Sequence, residues 1–269
     1  MAKRFVAAAA MVIGLACGAV GTAWGQAEES TPLAHQQWSF QGVFGTYDRA
    51  ALQRGFQVYK EVCSACHQLK HLSFRDLTQI GYTEDQVKGI AAQYQVTDGP
   101  NDQGQMYQRP ARPSDPIPGP FANDEAARAA MDGALPPDLS LIVHAREGGP
   151  DYVYGILTGF KPAPKGFKLA PGTYYNQIFP GHQIKMPPPL TADGQVKYAD
   201  GTPSTIPQMA HDVATFLAWA SEPTLEERHR TGFRVILFLV IAIGLLYAAK
   251  RKVWSGLHGH GGEEAQPGE

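Results

Sequence analysis

Residues 62–74 read VCSACHQLKHLSF, and they hold the only two cysteines beyond the first twenty positions, Cys63 and Cys66, with His67 directly behind the second. Three chemistries use such a pair. Two thiols on one turn of chain can add across the two vinyl groups of a heme, and the next imidazole then lies beneath the iron. A zinc site needs a second Cys/His pair at similar spacing, and the sequence has none. A redox dithiol normally follows a strand and precedes a long helix within a βαβ unit. Here a helical pattern precedes the cysteines and no strand pattern follows. The spacing therefore predicts one covalent c-type heme, with His67 as proximal ligand; an exported thiol–disulfide oxidoreductase is the alternative of a different class.

The second axial ligand decides what such a site does. A methionine thioether closes the iron and raises its potential, whereas an open position binds gases or peroxide. Met106, Met131, Met186 and Met209 are the candidates. Met209 falls among core positions of a helix, Met131 lies on a short helix, and Met106 sits in a polar loop. Met186, in HQIKMPPPL, is followed by three prolines that stiffen the backbone and hold a sulfur with little entropy to lose. Met186 is the expected ligand. His144, His182 and His211 remain as candidates, although bis-histidine ligation would lower the potential.

The elements that must position these groups are mostly helices. A helix is expected from near Thr46 or Asp48 through DRAALQRGFQVYKEV, with Leu52, Phe56 and Tyr59 on one face, delivering the chain straight into Cys63. A second is expected in YTEDQVKGIAAQYQV, capped by Thr83. Residues 97–122, rich in Gly, Pro, Asn and Asp, read as an extended loop. A short capped helix follows in NDEAARAAMDGA, stopped by Pro136 and Pro137. Residues 148–203 read as loop-rich, with Gly and Pro every few positions. A closing helix in TIPQMAHDVATFLAWASEP places Val213, Phe216, Leu217 and Ala220 on one face. No strand pattern is strong enough to predict a sheet. Loops of this length build little core from their own side chains, so a prosthetic group is expected to fill the centre.

Both ends of the chain carry apolar runs. Lys3 and Arg4, the run 5–20 and Ala23-Trp24-Gly25 read as a signal peptide, 1–25, cut near Gln26 and taking Cys17 with it. Two cysteines this close in an exported chain cannot form a disulfide framework, which leaves them for chemistry. Near the other end Gly232 to Ala249 is apolar apart from Arg234. Eighteen residues span roughly 27 Å, enough for a hydrocarbon core, and Arg234 can snorkel. Positive charge flanks this run on both sides, so the cleaved leader sets the orientation instead. Residues 26–224 form the exported domain, 225–254 the anchor with its flanks, and 255–269, including His258 and His260, a disordered cytoplasmic tail.

Between Gln26 and Thr224 there are 20 Asp/Glu and 15 Lys/Arg, a net of −5 that the whole-chain −2 conceals. Such a domain is a poor candidate for nucleic acid and a reasonable one for a basic protein partner. Asp98, Asp102, Asp115, Asp124 and Glu125, in or near the long loop, are candidate docking acids.

The chain resembles the cytochrome c1 family, the heme-bearing subunit of the cytochrome bc1 (ubiquinol–cytochrome c reductase) complex. VCSACH, YTEDQVKGIAAQYQVTDGPNDQG, RPARPSDPIPGPFANDEAARAA, GALPPDLSLIVHAREGGPDYVYGILTGF, MPPPL and YADGTPSTIPQMAHDVATFLAWASEP carry the resemblance, from about Trp38 to Trp254. It implies a mainly α, class I cytochrome c-like heme domain with long loop insertions and one C-terminal transmembrane helix. It implies thioether links at Cys63 and Cys66, and His67 and Met186 as axial ligands. Arg146, helped by Tyr152, would face a heme propionate, and a carbonyl near Pro136 would accept the Nδ1 proton of His67. The chain would be no enzyme alone but an electron carrier in a dimeric complex. It would act with a cytochrome b subunit, take electrons from a Rieske iron–sulfur protein and pass them to a soluble cytochrome c. Its place would be the bacterial cytoplasmic membrane, crossed once, with the heme domain on the periplasmic side. A membrane-anchored c-type cytochrome feeding a terminal oxidase is the nearer alternative. Unlike some bacterial relatives, this chain has no further cysteine pair to brace its loops.

Overall fold

The computed structural model describes residues 32–255. The leader 1–25 with Cys17, and the tail beyond Ser255 with His258 and His260, lie outside the described residues. Six α-helices dominate the described residues: α1 (Arg49–Glu61), α2 (Glu84–Ala91), α3 (Asp124–Ala130), α4 (Pro150–Thr158), α5 (Ile206–Ser221) and α6 (Leu225–Ser255).

Helix α1 starts where a carboxylate can satisfy free N–H groups: Asp48 accepts from the amides of Ala50 and Ala51. Its Leu52, Phe56 and Tyr59 are buried, as their spacing predicts, and they pack chiefly on α5. Helix α5 is capped by Thr205 and is almost wholly buried from Met209 to Ala220, so its burial is wider than one apolar face. Phe216 meets both Phe56 and Tyr59, at centroid distances of 5.6 and 6.0 Å. At the same crossing Arg54 reaches fully buried Asp212 through two bonds of 2.9 and 3.0 Å.

Helix α2 opens on the capping box of Thr83 and Gln86 but ends at Ala91, four residues short of the next regular element. Helix α3 ends at Ala130 rather than at Pro136-Pro137, because Asp132 turns into the left-handed region at φ 48°.

Two local expectations need correction. The chain does form sheets, although small: β1 (Gln95–Asp98) pairs antiparallel with β2 (Tyr107–Pro110), and β3 (Tyr174–Tyr175) with β4 (Gln183–Ile184). The first ribbon gives the expected long loop its frame. Within 148–203, α4 is a true helix whose start uses Gly149 as cap and Pro150 in the first turn. Helix α6 is longer than its apolar stretch, running unbroken for 31 residues; apart from Leu225 at its base, none of it is buried. It is the one described helix long and apolar enough to cross a membrane.

Candidate heme site

Helix α1 hands the chain to a single 3-10 turn, Cys63–Ala65, in which the amides of Cys66 and His67 both donate to the Cys63 carbonyl, at 3.1 and 2.9 Å. The two sulfurs and the imidazole are thus held on one tight turn. Both thiols are free. Cys63 keeps some exposure, yet the protein atoms around it desolvate the sulfur, and with Cys66 beside it the thiol is pushed up to about 12. A thiolate nucleophile needs the opposite shift, so Cys63 in this setting is a poor attacking thiol.

His67 is oriented from two sides. Its backbone carbonyl accepts from the Tyr59 hydroxyl at 3.2 Å, and its Nδ1 lies 2.8 Å from the Pro137 carbonyl. The acceptor is therefore Pro137, one residue past Pro136, which lines a cleft with Cys66 instead. A carbonyl can only accept, so Nδ1 carries the proton and Nε2 is left with its lone pair outward. Burial lowers the imidazole pKa, a loss only partly offset by the Pro137 carbonyl and Asp138, which favours the neutral ring. A neutral imidazole in a fixed tautomer is what a metal ligand requires.

Sequence reasoning misses Asp138 and Ser140, although PPDLS carries the signature of an Asx turn. Asp138 accepts from the amides of Ser140 (2.7 Å) and Lys70 (3.2 Å), and the buried Ser140 hydroxyl accepts from the His71 amide at 3.1 Å. The Leu139 amide adds a 2.9 Å bond to the Gln68 carbonyl. Residues 137–140 are thereby stitched along 67–71.

Met186 lies half-buried just after β4. Its neighbour Lys185 donates to the Asp132 carbonyl at 3.0 Å, so the methionine segment is tied to the same strap, 132–140, that holds His67. Of its rivals, Met209 is fully buried in α5 and Met106 is exposed at the tip of the first ribbon. The three candidate histidines are engaged: His182 Nδ1 with the Asn176 carbonyl, His211 stacked on Trp38 at 4.5 Å, and His144 3.8 Å from Glu222.

Arg146 is exposed, and its guanidinium meets only the Ala145 carbonyl at 2.9 Å; among the described residues it pairs with no carboxylate. Gly148 and Gly149, at φ 84° and 55°, make the turn that carries the chain from Arg146 into α4. Tyr152 packs over that turn. A strap from the start of the described chain fixes it: Leu33 fills the space a Gly148 side chain would need, and Asp151 takes bonds from the Gln36 amide, the Trp38 indole and His35, at 2.9, 2.8 and 3.0 Å. Burial alone would raise the Asp151 pKa, but these bonds outweigh it and hold the carboxyl below its ordinary value.

Two of the candidate docking acids are not free. Asp98 pairs with the Arg109 Nε, and Asp115 grips the same guanidinium at 2.5 and 3.0 Å. Both brace the ribbon, which leaves exposed Asp102, Asp124 and Glu125.

The donor set fits a c-type heme: two free thiols on one turn, an imidazole with Nε2 unused among the described residues, a half-buried thioether and a guanidinium with no carboxylate partner among them. Leu135, 36% exposed and lining a cleft with Cys66, leaves apolar surface beside it that suits a planar apolar ligand.

Comparison with known proteins agrees. Residues 38–257 match the model of the Cytochrome C1 family. A protein of Rhodospirillum rubrum called cytochrome c1 is 46% identical over 268 residues, covering 94% of this chain and 96% of that one. The cytochrome b/c1 of Bradyrhizobium diazoefficiens is 50% identical over 244 residues, 82% of this chain but only 35% of that longer protein. The mitochondrial cytochrome c1 heme protein of Saccharomyces cerevisiae is 47% identical over 221 residues, 82% of this chain and 71% of its own length.

Proposed function

The chain belongs to the cytochrome c1 family, and from that premise we propose that it is the electron-carrying, heme-bearing subunit of a ubiquinol–cytochrome c reductase complex. The observation that carries this reading is the Cys63–His67 turn with Nδ1 of His67 fixed on the Pro137 carbonyl. When bound, one covalent heme c supplies a one-electron iron couple. Cys63 and Cys66 would hold it through their sulfurs, and His67 through Nε2 and Met186 through its thioether would supply the donors to its iron. The Pro137 carbonyl keeps the imidazole from rotating or changing tautomer between oxidation states. Arg146, unpaired within the protein, offers a fork of N–H donors to a propionate, with Tyr152 beside it.

The chain alone is a relay and no enzyme. An iron–sulfur protein of Rieske type delivers the electron and a soluble cytochrome c removes it. The net charge of −5 on residues 26–224 favours an acceptor with a basic face, because long-range steering gives fast encounters that still dissociate. Asp102, Asp124 and Glu125 remain available for that contact. A cytochrome b partner is supported by the relative called cytochrome b/c1, 35% of which this chain matches. Helix α6 anchors the assembly, a dimeric complex, in the bacterial cytoplasmic membrane, with residues 26–224 on the periplasmic side and 255–269 inside.

Affinity purification of the full chain from mild-detergent extracts tests this. Cytochrome b and an iron–sulfur protein are expected to copurify with quinol–cytochrome c reductase activity. Recovery with terminal oxidase subunits and no such activity would contradict it.

A further inference from the structure

A groove opens between the base of α6 and the loop 43–46. Glu226, His229, Arg230, Phe233 and Arg234, all on one stripe of the helix, form one wall, and Val43 and Phe44 form the other. The loop does not hang free. Tyr47, just after it, donates its amide to Glu226 at 2.9 Å and its hydroxyl to the Ala218 and Glu222 carbonyls at 3.2 and 3.3 Å, and Arg49 pairs with Glu226 at 2.8 Å. Yet Val43 is 74% and Phe44 81% exposed, beside Phe233 at 58%. A loop anchored at its C-terminal end presents two large apolar side chains outward.

Their level along the helix identifies what meets them. The apolar run of α6 begins at Gly232, so a loop against Phe233 lies where the hydrocarbon begins and Arg230 lies one turn to the water side. The polar lining is equally specific. Arg230 and Arg234 are exposed and make no ion pair among the described residues, and the Nδ1 of His229 is buried without a hydrogen-bond partner. Glu226, the one acid in the groove, is already committed to Tyr47 and Arg49. Two free guanidiniums and an unpartnered imidazole nitrogen above an apolar floor match a phosphodiester above an acyl chain.

We propose that this groove seats a membrane phospholipid, and that Val43 and Phe44 dip into the bilayer as a second membrane contact beside α6. The heme domain is then held at two points and keeps a fixed tilt over the membrane. The proposal rests on α6 spanning the bilayer.

The test uses the full-length, heme-loaded protein in nanodiscs of phosphatidylcholine and phosphatidylglycerol. A nitroxide is attached in turn to Phe44→Cys and, as a control within the span, to Leu239→Cys; the unsubstituted chain sets the labelling background. At position 44 the label is expected to collide with oxygen several-fold more often than with a water-soluble nickel chelate. Dominant nickel collisions would place the loop in water, and shielding from both reagents would place it under another protein; either result overturns the proposal. A label at 239 that is not lipid-exposed would instead break the spanning reading of α6. Adding Arg230→Gln and Arg234→Gln is expected to raise nickel access at position 44, and no change would take the phosphate out of the groove.

Discussion

Where α1 crosses α5, Gly55 lets the backbones approach so closely that a Cβ there would lie 2.1 Å from the Asp212 carbonyl oxygen. Phe56, Tyr59, Phe216 and Trp219 fill the rest, and half-buried Arg54 reaches in to fully buried Asp212. In the stretch from Met131 to Ser204 there is little of this. Its order rests on single polar residues used as clips: Asp138, Ser140, and fully buried Asn176, which donates to the Ile156 carbonyl at 2.8 Å and accepts from the amides of Ile178 and Phe179. Leu135, Leu141 and Leu169 stay on its surface. The first region is complete without a ligand; the second holds donor atoms and apolar area in place around something it does not itself supply. The cysteines sit at the joint, which is why one turn can tie a prosthetic group to both.

That contrast can be broken at several points. Met186→Leu is expected to remove an axial donor from the loop region, leave α1 and α5 intact, lower the midpoint potential by on the order of 0.1 V or more within the ~0.8 V span axial ligands control, and admit carbon monoxide. A potentiometric titration and a carbon monoxide difference spectrum check both, and an unchanged potential would transfer the role to another residue. Next in size, Arg54→Met leaves Asp212 buried and deprived of its cation, which typically costs about 3–5 kcal/mol. Chemical denaturation is expected to show that loss with the heme spectrum of the folded fraction unaltered. Asn176→Ala strips three bonds from a buried hub and is expected to cost about 1–3 kcal/mol. Hydrogen exchange should report that loss in residues 156–184 and not in α1. The smallest effect concerns the β1–β2 ribbon. The hydrogen bond from Arg109 holds Asp115 down at about 2 from 3.8, and Asp98 shifts the same way. A carboxyl depressed on folding stabilises above its unfolded value and loses that contribution as it protonates. Amide protection in 95–110 is therefore expected to be flat from neutral pH to about 5 and to fall between about 4 and 2. A fall already complete at pH 5 would rule this source out.

The same contrast governs what the sequence reveals. Asp48, Thr83, Asn123 and Thr205 cap their helices, and such signals are legible because a cap is a local event between residues two or three apart. Cys63, Cys66 and His67 share a turn because their spacing allows little else. Helix α4 is hidden by its length and its glycine and proline flanks, although Gly149-Pro150 is itself a start signal. The ribbon strands are four residues long and mostly polar, so although β1 alternates in burial its sequence holds too few apolar residues to mark a strand. The carbonyl that orients His67 lies seventy residues away. The composition of PPDLS marks a turn there, but only the folded chain decides that Pro137, and not Pro136, points at the ring. Asp98 and Asp115 read as surface acids until the fold brings Arg109 between them.

A porphyrin bound through both sulfurs and closed on both iron faces is the central claim. It is tested most directly by reducing the purified full chain with dithionite and then extracting it with acidified acetone. A sharp reduced α-band, pigment that stays with the protein after extraction, and no spectral change under carbon monoxide are the expected result. Colourless protein, pigment that dissolves into the acetone, or a carbon monoxide adduct in the native protein would contradict it.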